Sequence, residues 1–318
     1  MTDNPNLRWT LDGRGGGRPR TSDGSDHVEL VWEHVDYGDD AQRAWLEESS
    51  DLPPVVVAAL LADEPRPRSL VQQGGLLLVL RGVNKNEGAD PEDMVSLRLW
   101  LQRDRIVSVR RRRFASIGDI REQLEAGDGP RNTGEFLQEL IDRVLDRIGE
   151  TVGAVDDLAD ELEDGVVELE GRELRPRLGA LRRQAIALRR YIAPQRDVLG
   201  RLHAEKLEWL DDSHRARLRE AADRITRYVE DLDAARDRAA VTQEELANRL
   251  NEQMNRTMYI LSIITAIFLP LGLLTGLLGI NVGGLPGTES PHAFTIVTVG
   301  LIAMAVGLAA WFRSRQLF

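Results

Sequence analysis

Gly279-Ile280-Asn281 places one carboxamide just beyond a long apolar run, and two more glycines follow at Gly283 and Gly284. If the run is a helix, its last carbonyls lack intrahelical partners and carry partial negative charge. Asn281 adds one neutral oxygen beside them. Repeated around a symmetry axis, these oxygens form a collar of dipoles without formal charge. Such a collar suits a cation that keeps much of its water, because dehydrating a small divalent ion is costly. A ring of Asp or Glu would hold the ion more tightly and slow its exit. The plainer reading of the tripeptide is a turn that ends a helix. Gly82-Val83-Asn84 repeats the pattern after a short strand-like run, so its meaning depends on where it stands.

Other chemistries find little support. The chain contains no cysteine, which excludes disulfides, thiolate metal sites and a cysteine nucleophile. Its five histidines, His27, His34, His203, His214 and His292, all lie outside the apolar runs. No phosphate-binding loop is present, and no motif of an enzyme site, so neither ATP-driven pumping nor catalysis is expected, and no cofactor. The run Arg110–Arg113 suggests nucleic acid or anionic lipid. The net charge of -11 argues against nucleic acid and for surface or subunit-interface charge.

Two uncharged runs, 258–278 and 293–312, are each long enough to span a bilayer as a helix. The alternative is a pair of buried core helices. The absence of charge over a full span, twice in succession, favours the membrane. Arg249 and Arg256 precede the first run, Arg313 and Arg315 follow the second, and the connection 279–292 has no Lys or Arg. The positive-inside rule then puts both termini in the cytoplasm and the loop outside, with a basic tail at 313–318. The first residues show no apolar signal segment.

The elements that must position these groups precede them. Residues 1–27, rich in Gly, Asp and Arg, read as a loose lead-in. Residues 28–213 read as an α/β and helical domain. Strands are predicted in VELVWEHVDY, SLVQQGGLLLVLRGV and MVSLRLWLQRDRIVSVRRRRF, with turns at Gly74-Gly75 and Arg103-Asp104. Asp39 to Ala62 reads as helical, broken at Pro53-Pro54. Ser116 is a candidate cap for a helix over 118–126, and Thr133 starts a long helix. Another helix is predicted from about Leu174 to Ala193, interrupted or ended by Pro194.

From His214 to Leu278 no proline intervenes before Pro270, and one helix is predicted: a stalk over 214–257 leading into the first span. Leu218, Ala222, Ile225, Val229, Leu232, Ala235, Ala239, Leu246, Leu250, Met254 and Met258 recur at steps of three or four, with a gap near Gln243. This stripe suits either a seam between identical copies or an ordinary bundle within the chain. Two spans cannot enclose a water-filled path, so conduction would need a homo-oligomer.

Two C-terminal spans, Gly-x-Asn at the outer end of the first, the long preceding helix and the basic RSRQLF end together resemble the CorA family of metal ion transporters. The form Gly279-Ile280-Asn281 with NVGGLPG after it, LRGVNKNEGADPEDMVSLRLWLQRDRIVSVRRRR and YIAPQRD resemble its zinc-transporting ZntB branch. The resemblance implies a homopentamer in the inner membrane, a cytoplasmic α/β funnel, an axial pore helix and an outer second span. It implies Gly279, Ile280 and Asn281 as selectivity filter. Stepping back from Asn281 gives Gly276, Gly272, Leu269, Thr265, Ser262, Met258 and Asn255 as the pore side, with Leu269 and Met258 as candidate constrictions. The alternative is that some of these residues pack on the second span, as Gly272 and Gly276 suit a close helix contact.

Zinc would find no usual ligand set in the spans, so it would pass hydrated, with Mg2+, Co2+, Ni2+ or Cd2+ as competitors. Glu289 and His292 in the outer loop would attract cations or hold metal briefly, or would simply be solvated. Proton coupling, if present, would fall on Glu289, His292, Glu244, Glu245 or Glu252, because neither span contains Asp, Glu, His, Lys or Arg. The expected function is divalent cation transport, with zinc the leading ion. Rivals are a CorA-like Mg2+/Co2+ channel and a membrane-anchored sensor or scaffold that uses the hairpin only as an anchor. Expected partners are further copies of the chain, lipid and divalent cations, not nucleic acid.

Overall fold

A computed structural model describes residues 7–19, 30–63, 66–90, 92–165, 171–280, 287 and 290–314. The chain divides into two compact units, Met1–Glu244 and Glu245–Phe318.

The first unit is built on a seven-stranded sheet among the described residues. Its strands are β1 (Leu7–Leu11), β2 (Gly17–Pro19), β3 (Leu30–Asp36), β4 (Arg68–Gln72), β5 (Gly75–Val83), β6 (Met94–Leu101) and β7 (Arg105–Arg110), in the order β2-β1-β3-β7-β6-β5-β4. Only β3 and β7 pair in parallel; the other neighbours are antiparallel. The apolar run Leu76–Leu80 is buried throughout, as a central strand covered on both faces requires. The β4–β5 hairpin turns on Gln73 and Gly74, both with positive φ (49° and 72°), one residue earlier than the sequence suggests. Gly75 already belongs to β5, where the Trp100 ring fills the space a Cβ would take.

Residues 7–19 correct the expectation of a loose segment over 1–27. β1 pairs with β3 in the register Trp9↔Trp32, and Trp9 and Leu11 are buried. Asp12 makes the β1–β2 turn by accepting hydrogen bonds from the backbone N–H groups of Arg14 and Gly16. Alternation over five residues is a weak signal beside so many glycines and charges, and burial of one tryptophan decides it.

Helices α1 (Asp40–Glu48) and α2 (Pro54–Leu60) are separated where the prolines predict. Helix α3 (Ala115–Ala126) starts without a side-chain cap. Ser116 lies inside it, buried, and accepts a hydrogen bond from Arg147 Nη1 at 3.1 Å. Helix α4 (Thr133–Asp164) is capped by Asn132, whose side chain accepts from the Glu135 N–H. Helix α5 (Gly171–Leu202) runs through Pro194 rather than ending there. One lost hydrogen bond is outweighed because Leu188, Ile192, Gln195, Val198, Leu199 and Leu202 are all buried across the break.

Helix α6 (Asp212–Leu278) is a single element that begins in the first unit and ends in the second. Its apolar stripe has two regimes. From Leu218 to Ala239 it is buried within the chain. Ion pairs to α4 and α5 flank it: Arg224 to Asp142 at 3.6 Å, Arg189 to Asp233 at 2.7 Å, and Arg238 to Asp156 and Asp160. Leu250, Met254 and Met258 are instead 44%, 56% and 55% exposed. The first stretch is thus an ordinary bundle face, and only the second is left open for another molecule.

Candidate functional site

Beyond residue 245 the described secondary structure consists of the end of α6 and α7 (Ala293–Ser314), and both helices are long and apolar enough to cross a membrane. Burial separates two faces of α6 there. Ile263 is buried, and Ile267, Leu271 and Leu274 are half-buried. On α7, Val297, Leu301, Ala305 and Leu308 are half-buried. Both sets recur at steps of three or four, which marks one stripe on each helix where the two meet.

Asn255, Met258, Ser262, Thr265, Leu269, Gly272 and Gly276 form another stripe at the same spacing, and every one of them is exposed. At 3.6 residues per turn this stripe lies on roughly the opposite side of α6 from Ile263 and Leu274. Leu269 is 70% exposed, and a Cβ added at Gly272 or Gly276 would meet nothing within 4 Å. Within the chain, these residues do not pack on the second span.

The hydroxyls on this stripe have a defined polarity. Ser262 Oγ donates to the Met258 carbonyl at 2.8 Å, and Thr265 Oγ1 donates to the Leu261 carbonyl at 2.8 Å. Each proton is used inside the helix, so the oxygen faces outward as an acceptor. Acceptor oxygens receive the protons of a cation's hydration water. An anion, whose shell points its oxygens outward, finds no donor in these two hydroxyls.

At the end of α6 the Gly279 N–H donates to the carbonyls of Thr275 (2.9 Å) and Gly276 (3.2 Å), and Gly279 leaves the helix in a turn. The carbonyls that follow lack intrahelical donors and place the negative end of the helix dipole beside Ile280, which is exposed. Asn281 and Glu289 lie outside the described residues. His292 is exposed just before α7, and its carbonyl accepts the Ile296 N–H at 3.0 Å. Glu244, Glu245 and Glu252 are exposed on α6, and Glu245 pairs with Arg249 at 2.7 Å.

No group of three or more His, Asp or Glu with metal-holding geometry occurs among the described residues. The stripe on α7 that meets α6 was missed by sequence reasoning. Its residues are unremarkable aliphatics in a wholly apolar helix, and periodicity cannot select a face when all faces are apolar.

Comparison with known proteins agrees with this architecture. The chain is 40% identical over 318 residues to the divalent cation transporter CmaX of Pseudomonas aeruginosa, covering 97% of this chain and 95% of that one. It is 37% identical over 306 residues to the zinc transport protein ZntB of Yersinia enterocolitica, covering 96% and 93%. The solved structure of full-length CmaX superposes with a TM-score of 0.85 at 38% identity, over 100% of this chain and 99% of that one. The family model described as CorA-like Mg2+ transporter protein matches residues 28–314. On a match across nearly its whole length, this chain belongs to the CorA-like Mg2+ transporter protein family, on its ZntB-like branch.

Proposed function

We propose that this protein carries divalent cations, zinc among them, across the inner membrane through the axial pore of a homopentamer. Both termini and the first unit lie in the cytoplasm, and the loop after Leu278 faces outside. Asn255, Met258, Ser262, Thr265, Leu269, Gly272 and Gly276 line the path, and Gly279, Ile280 and Asn281 form its outer filter. The observation that carries this reading is the exposed stripe of acceptor oxygens and glycines on the side of α6 opposite α7. A hairpin that served only as an anchor needs no polar stripe. Relatives named as transporters of zinc and of divalent cations support the cargo.

The residues on this path hold the ion through its water rather than by direct ligation. Hydroxyl and carbonyl oxygens accept from the hydration shell, and no imidazole or carboxylate set that would replace it occurs among the described residues. Leu269 and Met258 act as apolar constrictions where a narrow path sheds water. Asn281 adds a neutral oxygen at the mouth, so an arriving ion is attracted but not trapped. Glu289 and His292 raise the cation concentration there. Transport is non-enzymatic, and Mg2+, Co2+, Ni2+ and Cd2+ compete to the extent that their hydrated sizes match.

Flux into proteoliposomes tests the reading. Purified protein is compared with Asn281→Ala, for Zn2+ against Mg2+, with and without a pH gradient. Zinc flux that is raised by a proton gradient and falls at least about tenfold in the variant is the expected result, about 1.4 kcal/mol at the filter. Magnesium flux indifferent to pH would assign the protein to the channel-like type. No flux of any ion from a folded oligomer would sink transport and favour the anchor.

A further inference from the structure

Five arginines from four segments of the chain converge on one cavity of about 650 Å3 in the first unit. Arg66 precedes β4, Arg81 lies on β5, Arg111 and Arg112 follow β7, and Arg190 lies on α5. Among the described residues, Asp63 and Asp93 are the only carboxylates on its wall. Both are engaged: Arg111 lies 3.4 Å from Asp63, and Arg112 lies 2.9 Å from Asp93. All four side chains are well exposed, and ion pairs of that kind are weak. A doubly charged oxyanion would displace them. Arg66 and Arg190 have no carboxylate partner among the described residues.

Positive charge extends behind the wall. Arg98 is fully buried, and its Nη2 donates to the Ala62 carbonyl at 2.7 Å. Burial lowers its pKa first, and the neighbouring charge of Arg81 lowers it further, with a smaller push from Arg111. An anion in the cavity would offset this mutual repulsion, whereas a cation would add to it.

The cavity also has an apolar side. The Tyr191 ring lies 5.1 Å from the Arg81 guanidinium and 5.8 Å from that of Arg190. Pro67, Val95 and Pro194 continue this wall. Guanidinium forks suit phosphate oxygens, and a tyrosine flanked by prolines suits a planar organic group. The volume is that of a small-molecule site, roughly 300–1,000 Å3. A monatomic anion would leave most of it empty.

We infer that this cavity binds a phosphate-bearing organic anion of nucleotide size, with phosphates on Arg66, Arg112 and Arg190 and the planar group against Tyr191. The assignment is to binding alone, with no chemical step. It lies wholly within the first unit and uses no residue of the transport path, so it stands or falls independently of that reading.

Calorimetric titration of the full chain in lipid nanodiscs tests it, with ATP, pyrophosphate, inorganic phosphate, chloride and adenosine as probes. The titration is run in EDTA, so that no divalent cation bridges ligand and protein. The expected result is saturable ATP binding, at least about tenfold tighter than phosphate or chloride, and none with adenosine. Arg66→Ala with Arg190→Ala weakens ATP about tenfold or more while oligomer mass and melting temperature are kept. Tyr191→Leu weakens ATP but leaves pyrophosphate unchanged, which a general loss of folding would not do. Absence of ATP binding by the wild type, or binding unchanged in the double variant, overturns the inference. Chloride bound as tightly as ATP would mean an adventitious ion only and also overturns it. Loss of the oligomer in the double variant, with no ATP binding by the wild type, would assign the arginines to carboxylates of a second copy.

Discussion

At the scale of single residues, the neutrality of Asn281 is the feature with the sharpest consequence. A carboxylate there would add formal charge to carbonyls already negative at the end of α6. We therefore expect Asn281→Asp to lower the half-saturating ion concentration and the maximal flux together, measured as Zn2+ uptake over a concentration series. A rise in both would argue against a binding role for this position. Asp211, at the other end of the same helix, gives a pH signature. Its side chain accepts from the His214 N–H at 2.9 Å and from the Ser213 hydroxyl at 2.8 Å, and its carbonyl accepts the Arg215 N–H, as an N-cap does. These bonds, the His214 N–H first, hold its pKa down to about 2 from 3.8. A lowered carboxylate stabilises the fold above its unfolded value and loses that contribution as pH falls through the folded one. The melting-temperature gap between wild type and Asp211→Ala should stay constant from neutral pH down to about 4 and narrow below it. A gap that widens on acidification would mean the cap acts by some other route. Such residues differ in how far the sequence reveals them. Asp211 caps the helix that begins at the next residue through the N–H three positions on, a local pattern. Ser116 looks like a cap but is buried against Arg147, a contact that only tertiary structure supplies.

At the scale of elements, α6 does two jobs on one strand of chain, and the sequence shows the periodicity of both without showing where one gives way to the other. The stripe of apolar residues runs from Leu218 to Met258 with one gap near Gln243, yet it is buried only as far as Leu246, and ion pairs to α4 and α5 flank part of that buried stretch. Coverage is a property of the neighbours, so periodicity alone cannot report it. The same limit explains α5, where Pro194 reads as a stop until the buried residues on both sides of it are known. It also explains the arginine cavity. Its five guanidiniums come from the α2–β4 connection, β5, the residues after β7 and α5, and only Arg111-Arg112 are adjacent in sequence. The strands and long helices, by contrast, were legible because their periods are strong over many residues. The two faces of the membrane-grade part of α6 can be separated directly. The chain has no cysteine, so every introduced thiol is unique. Thr265→Cys, Leu269→Cys and Gly272→Cys should react with a charged thiol reagent in membranes and slow transport when modified. Ile263→Cys, Ile267→Cys and Leu274→Cys should stay unreactive against α7. Equal reactivity of the two sets would remove the assignment of the pore face.

At the scale of the whole molecule, what one copy leaves uncovered is the feature that points to further copies. Met258 and Leu269 are large, apolar and more than half exposed on the side of α6 away from α7, together with acceptor oxygens that lipid cannot satisfy. Apolar residues alone would be content in hydrocarbon. Oxygens and bare glycines at the same depth would gain little there, and are better placed around shared water. A closed ring of copies, as proposed, would provide that water and use every filter residue at once. This makes a prediction that a single-chain carrier or a simple anchor does not share. Asn281→Ala subunits are co-expressed with wild type at graded ratios, under separate tags, and Zn2+ flux is measured per assembled particle. If each copy transports alone, flux falls in proportion to the mutant fraction. If all copies line one path, a single altered subunit distorts the collar for every ion that passes, and flux falls much faster than the mutant fraction rises. For a ring of five in which one altered copy is enough to block, half-and-half mixing leaves roughly 3% of particles fully wild type, the binomial consequence of closed cyclic symmetry. A linear decline would mean that the path lies within one copy, and the exposed stripe on α6 would then need another occupant.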